Sequence, residues 1–449
     1  MLAILRHRTY RHLFAAQVVS LVGTGLATVA LGLLAFDLAG GAAGAVLGTA
    51  LAIKMVAYVT LAPLAAALAR HAPPRALLVG LDLARTGVVL LLPFVTAVWQ
   101  VYVLVLLLQA CSAAFTPAFQ AMIPDVLKDE EDYTRALSMS QLASDLETLA
   151  SPLLAAALLT VASAPWLFGG TAAGFLLSAL LVLSVRLPVR AAPPEEEGTW
   201  GAATKGIRIM WRTPRLRGSL ALELAVAAAG SVVLVNTVVL VQGRLDLGEP
   251  EVALALGAFG GGSMLGALLT PWLLARAPAA APERAVMLGG GALMVAGVAA
   301  AGPVGSLAPL MAAWAVVGFG FALTQTPIGR LLVRSARDAD RPALYAAQFA
   351  LSHAGWLLAY PLAGWVGAEA GLGAAFALLV GLGLAGLATA WASWPAQDEA
   401  APPHAHPDLP ADHPHLSEHR AVRGNAHAHL LVIDALHRHW PREGKGRVA

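Results

Sequence analysis

Apolar runs of about 20 residues recur along this sequence, the length an α-helix needs to cross the hydrocarbon core of a bilayer. One polar stretch interrupts them midway. Between Arg186 and Arg217 lie Arg190, Glu195, Glu196, Glu197, Lys205, Arg208, Arg212 and Arg215. No membrane span carries that many charges, so the stretch must lie in water and divide the chain into two comparable lengths. Only 12% of the 449 residues are charged and 58% are hydrophobic, whereas soluble domains carry about 25% charged residues. The expected fold class is therefore an all-α membrane protein. The lone Cys111 excludes intrachain disulfides and cysteine-based metal clusters. Arg6, Arg8 and Arg11 precede a run of full span length with no small-residue cleavage site, so no cleavable signal is expected.

Twelve transmembrane helices are predicted. Six lie at 12–36, 43–69, 76–98, 100–123, 137–162 and 166–185, and six at 218–242, 251–275, 285–302, 307–333, 343–367 and 371–394. The implied domains are an N-terminal bundle (1–185), a cytoplasmic linker (186–217), a C-terminal bundle (218–395) and a His-rich tail (396–449) that reads as largely disordered. Basic residues gather at the N-terminus, in the loops near 70–75, 124–136, 186–217, 276–284 and 334–342, and in the tail. The intervening loops contain only Arg244. The positive-inside rule then puts both termini in the cytoplasm.

The halves resemble each other. Asp37 precedes Gly48 by the interval that separates Asp246 from Gly257. Phe-Thr-Pro ending at Pro117 corresponds to Gln-Thr-Pro ending at Pro327, and Pro152 in Ser-Pro-Leu-Leu-Ala to Pro361 in Tyr-Pro-Leu-Ala-Gly. A six-plus-six repeat points to two pseudo-symmetric six-helix bundles and a secondary transporter with its site between them. Pro117, Pro152, Pro327 and Pro361 each remove a backbone donor, which suits a hinge or a passive kink equally. Gly257, Gly260, Gly261, Gly262, Ser263 and Gly266 allow close helix packing.

Charges at bilayer depth are the best site candidates, because each costs about 2.5–3.5 kcal/mol to insert. Lys54 lies deep in span two and is expected to face the cavity or pair with a carboxylate. Asp82 and Arg85, three residues apart, share a helix face and suit an intrahelical ion pair. Asp145 and Glu147 point in different directions on span five, one towards the cavity and one towards a neighbouring helix. Glu223 reads as an interfacial charge. His353, at the position that the repeat relates to Ser144, is either a packed hydrogen-bonding group or a titrating, metal-binding one. A buried carboxylate in this set could exchange a proton for a cationic substrate.

Beyond Pro395 the composition changes, and nine of the 13 histidines follow: His404, His406, His413, His415, His419, His427, His429, His437 and His439. They form four His-x-His pairs, each able in an extended chain to offer two imidazoles to one ion. Leu430 to Trp440 is expected to form a short amphipathic helix at the membrane surface. A solvating tail without a ligand is the bland alternative.

Residues 8–395 resemble the major facilitator superfamily, in particular its bacterial exporters. Pro63 to His71, with Arg75, sits where the family has its Gly-x-Leu-Ala-Asp-Arg gating loop, departing from it at Ala66 and Arg70. Arg70, His71 and Arg75 are the gating-loop candidates. Ala150-Ser151-Pro152 and Ala155 resemble the span-five motif of antiporters, and Phe115, Pro117, Gln120 and Pro124-Asp125 the end of span four in drug and siderophore exporters. Gln109 lies where the family often places an arginine. The His-rich tail, with Asp125, Tyr133, Arg135, Asp145 and Glu147, is similar to the nickel-resistance branch. The resemblance implies a non-enzymatic, proton-coupled antiporter in the bacterial inner membrane that works as a monomer by alternating access. It requires no cofactor, with nickel or cobalt ions as substrate or tail ligand. Its partners are the lipid bilayer, protons and a metal-ion or small-molecule substrate, and not nucleic acid. The alternatives are an exporter of organic compounds and a membrane metal sensor or scaffold. With no Walker motif, ATP drive is not expected.

Overall fold

The computed structural model describes residues 2–39, 43–69, 71–161, 163, 165–188 and 198–397, and in the tail residues 404–406, 415, 421–423, 426–428, 431–434, 436–437 and 440. Arg70, Arg190, Glu195, Glu196, Glu197, His413, His419, His429 and His439 lie outside the described residues.

The first half holds α1 (Arg8–Ala39), α2 (Ala43–Leu68), α3 (Pro74–Leu91), α4 (Val98–Val126), α5 (Glu130–Leu159) and α6 (Pro165–Leu183). A surface helix follows, α7 (Thr199–Arg212). The second half begins with α8 (Pro214–Ser231), which continues through π turns over Val232–Asn236 and Val239–Arg244. Next come α9 (Glu249–Arg276), α10 (Pro282–Ala301), α11 (Leu307–Gln325), its short continuation α12 (Ile328–Val333) and α13 (Arg341–Pro361). A π turn over Leu362–Val366 leads into α14 (Gly367–Glu369), and α15 (Leu372–Ser393) closes the bundle. The chain is thus an all-α membrane protein of twelve spans in two six-helix bundles.

Local sequence sets the helix starts. Pro74, Pro214, Pro250 and Pro282 stand in first turns, where a missing N–H costs nothing. The Asp129 carboxylate caps α5 by accepting from the Asp132 N–H at 2.9 Å. Nine helices among the described residues are long and apolar enough to cross a membrane. The more polar helix α13 lies against α2 of the opposite half. The halves meet where α2 lies against α13 and α5 against α9. Glycine permits the closest packing. A Cβ on Gly262 of α9 would sit 2.0 Å from the Ala315 carbonyl of α11, and one on Gly318 would sit 1.9 Å from the Phe259 carbonyl.

Two expected boundaries move. The linker is not wholly solvated chain: α7 packs on α2 and α13, with Gly206 seated against the Ala343 carbonyl and Lys205 paired with Asp340 at 2.8 Å. The next span starts at Pro214 rather than 218, and Arg215 is buried, not in water. Its guanidinium is satisfied instead by the Ser335 hydroxyl at 2.8 Å and the Arg334 carbonyl at 3.0 Å. In the tail, β1 (His404–Ala405), β2 (Ala421–Arg423) and β3 (Ala426–His427) form a small antiparallel sheet in the order β1-β3-β2. The amphipathic helix expected from Leu430 to Trp440 is absent among the described residues: Leu431, Val432 and Ile433 run as buried non-helical chain. Ile433 joins Leu216, Leu331, Leu332 and Ala336 in one apolar cluster, which fixes the segment more firmly than a helix floating on lipid.

Candidate functional site

Two polar contacts cross between the halves at mid-depth. On one side α2 brings Lys54 and Tyr58 to α13. The Lys54 ammonium lies 5.6 Å from the Tyr58 ring centre, a cation–π contact, and no carboxylate pairs with it among the described residues. Tyr58 donates to the Gln109 side-chain oxygen at 3.0 Å and meets the His353 ring edge-on, centres 4.8 Å apart. His353 Nδ1 donates to the Phe349 carbonyl at 2.7 Å, so its neutral ring keeps the lone pair on Nε2. This is the packed, hydrogen-bonded role, with a cation close by.

On the other side α5 brings Asp145 to α9. The Ser263 hydroxyl donates to Asp145 Oδ2 at 2.8 Å, and the Gln141 amide donates to Oδ1 at 2.9 Å. Glu147 points elsewhere, as residues two apart on a helix must. It accepts from the Ser151 hydroxyl at 3.4 Å and lines an otherwise apolar cavity of about 480 Å³ with Phe14, Val22, Leu146, Met264 and Leu268. The repeat that equates Ser144 with His353 equates Lys54 with Ser263 at the same sequence offset. The two crossings are therefore related positions, one cationic and one anionic.

Glu223 is not interfacial. It is 2% exposed, at the meeting of α8, α11 and α13. Its oxygens accept from the Gln348 amide at 2.9 Å and the Gln325 amide at 3.4 Å. No Arg or Lys pairs with it among the described residues. Its depth follows from the early start of α8, which carries position 223 further inward than the sequence suggests.

Asp82 and Arg85 form a buried ion pair across one turn of α3. The Arg85 guanidinium lies 4.0 Å and 4.4 Å from the Phe115 and Phe175 ring centres. The pair is packed inside the first bundle. The four prolines differ. Pro117 is buried within an α4 that continues to Val126, and α5 runs through position 152. Pro327 separates α11 from α12, and Pro361 ends α13 before the π turn.

The closure at the basic-loop end uses residues outside the gating-loop set. Arg75 donates to the Leu183 carbonyl within its own half, and His71 is exposed. Arg330 spans the halves instead. It pairs with Glu283 at 2.9 Å in its own half, donates to the Thr134 hydroxyl at 2.6 Å, and pairs with Glu130. Arg334 also holds Glu283, at 2.8 Å. Arg341 pairs with Asp125 of the first half at 3.0 Å, and the Tyr133 and Tyr345 hydroxyls meet at 2.5 Å. Arg330 lies inside the predicted span 307–333 and Arg341 in the basic loop 334–342, where charge alone does not say which carboxylate each one meets.

Five tail imidazoles converge. One ring nitrogen from each of His404, His406, His415, His427 and His437 lies within 4.8 Å of the others. The cluster takes one complete His-x-His pair and single members of three more, so it is not a row of separate two-histidine sites. Several neutral imidazoles facing one point suit nickel, cobalt, copper or zinc. Behind them stands Asp434. Burial alone would push its carboxyl up, but hydrogen bonds from His437 and the charge of Arg337 outweigh that and hold it well below the usual range.

The fold matches solved transporters. The human organic anion transporter MFSD10 (TETRAN) aligns with a TM-score of 0.72 at 17% identity, over 85% of this chain and 99% of that one. A bacterial homologue of the iron transporter ferroportin, in an outward-facing state, gives 0.68 at 15% identity, over 85% and 97%. The transporter FucP in its outward conformation gives 0.66 at 14% identity, over 86% and 99%. No curated protein sequence matches. The Major Facilitator Superfamily profile matches residues 13–303. By that match, the chain belongs to the major facilitator superfamily of membrane transporters.

Proposed function

We propose that this transporter is a proton-coupled exporter, working as a monomer by alternating access, whose cargo is a divalent transition-metal ion such as nickel or cobalt. The five-imidazole cluster of the tail carries this reading, since nothing in the transport of an organic molecule calls for it. Glu223 and Asp145 are its candidate proton carriers, and Lys54 and His353 line the opposite crossing. The ferroportin homologue among the structural neighbours supports a metal cargo by analogy of fold alone. The basic loops support a bacterial inner-membrane protein with both termini in the cytoplasm. A second reading, export of an organic cation, is favoured by the apolar cavity of about 480 Å³ that holds the Glu147 carboxylate.

A growth screen separates the two. Cells expressing the protein are grown beside non-expressing cells on nickel, cobalt, zinc and a panel of toxic organic cations. Metal resistance is expected. Resistance to organic cations alone replaces the metal reading with the second one.

A further inference from the structure

Asp434 stands between the imidazole cluster and the closed end of the bundle. Its Oδ1 accepts from the backbone N–H of Leu436 at 2.9 Å and of His437 at 2.7 Å, and His437 Nδ1 donates to the same oxygen at 3.0 Å. With its proton held on Nδ1, the neutral His437 ring presents the Nε2 lone pair to the cluster. That nitrogen lies 3.1 Å from Nε2 of both His404 and His406, while His415 and His427 meet at 3.0 Å. A carboxylate behind an imidazole is the arrangement that fixes the tautomer of a metal ligand and raises its basicity.

The other oxygen of Asp434 pairs with Arg337. Arg337 sits on the loop from Arg334 to Asp340, between α12 and α13. This short loop has the cross-half arginines at its two ends. Arg330, one turn before it, reaches Glu130, and Arg341, just after it, holds Asp125. The loop is tied to the tail a second time. Arg215, which binds Ser335 and the Arg334 carbonyl, lies with its guanidinium 4.9 Å from the Trp440 ring centre. Ile433 is buried against Leu331, Leu332 and Ala336.

We propose that the five histidines form a regulatory site for one late first-row divalent ion. A bound ion acts through His437, Asp434 and Arg337 to hold the α12–α13 loop where its flanking arginines grip the first half, so that occupancy favours closure of the basic-loop end. The ion in this site need not be the cargo, so the proposal goes beyond the metal-export reading. A ligand shifts a conformational equilibrium only through its different affinity for the two states. Here that difference arises because the tail segment that orients His437 is anchored to the loop. Coupling between two such sites is of the order of 5–150-fold.

The test uses the full-length protein in lipid nanodiscs, with Cys111→Ser and spin labels at Lys128→Cys and Ala280→Cys, both exposed at the basic-loop end of opposite halves. Zinc is the probe because it is diamagnetic. Calorimetry counts the bound ions, and dipolar spectroscopy reads the distance between labels. One zinc per chain is expected, with the ratio of short to long distances rising at least about fivefold. His406→Ala with His427→Ala should remove both binding and shift. Arg337→Ala, at a side chain that is 60% exposed and so not needed for the core, should keep one zinc per chain and lose the shift. The proposal is overturned if zinc binds without changing the distances, if no zinc binds, or if Arg337→Ala shifts as fully as the parent. No transport enters the readout, so failure of the export reading would leave this result standing.

Discussion

Ser263 donates its hydroxyl proton to Asp145 at 2.8 Å, and this bond joins α9 of one half to α5 of the other. It forms at mid-depth, so it must break whenever the halves rock apart there. Ser263→Ala should therefore favour the separated state by about 1 kcal/mol, roughly a fivefold change in population. Asp145→Asn should act in the same direction, because a neutral amide is a weaker acceptor for both Ser263 and Gln141. The check is the rate of thiol labelling at a cysteine placed at Met264, beside the bond. Equal labelling of parent and variants would show that the bond does not hold the halves.

Glu223 is a buried carboxylate held by two amides, with no Arg or Lys paired to it among the described residues. Intramembrane carboxylates of this kind serve as proton relays. Glu223→Gln should abolish flux driven by a proton gradient in proteoliposomes while leaving substrate exchange without a gradient. Unchanged gradient-driven flux would remove Glu223 from the coupling path.

Arg341 and Asp125 pair with side chains only 11% and 4% exposed. Removing one partner of a buried pair leaves an uncompensated charge and costs about 3–5 kcal/mol. Arg341→Ala should lower the thermal unfolding temperature and loosen the basic-loop end. Arg341→Ala with Asp125→Asn should recover part of the loss. Thermal unfolding in detergent, with the parent and both variants side by side, measures both effects. A double variant no better than the single one would show that the pair is not the cause.

Gly262 faces the Ala315 carbonyl with no room for a side chain. Gly262→Leu should force α9 from α11 and cost at least about 1–3 kcal/mol, seen as a lower unfolding temperature and less protein in the membrane. Gly257→Ala, where nothing lies within 4 Å of the added carbon, is the control and should be silent.

These cases mark what the sequence could and could not reveal. Helices were legible because span length and loop charge are local quantities, and the repeat was legible because matched prolines recur in order. Lys54, Asp145 and His353 were found because depth alone makes a charge or an imidazole conspicuous. Their partners were not. Ser263 looked like one more small packing residue, and its link to Asp145 crosses more than a hundred positions. Glu223 reads as an interfacial charge only when the span starts near 218, and the start of α8 at Pro214 carries it into the core. Glu130 and Arg341 lie in charged loops and Arg330 inside the predicted span 307–333, and position alone does not say which partner each one meets. In the tail the histidines were visible, but an extended-chain reading could pair only neighbours, whereas folding against Arg337 and Ile433 gathers distant ones.

The strap formed by α7 has a consequence for how the chain could be altered. It rests on α2 of one half and α13 of the other, and a single residue, Thr213, separates it from α8. Lengthening the chain at Thr213 would rotate α7 relative to α8, lifting Gly206 from Ala343 and Lys205 from Asp340. The junction at Thr213 is thus a poor place to insert sequence, because one added residue there would undo contacts that α7 makes with both halves.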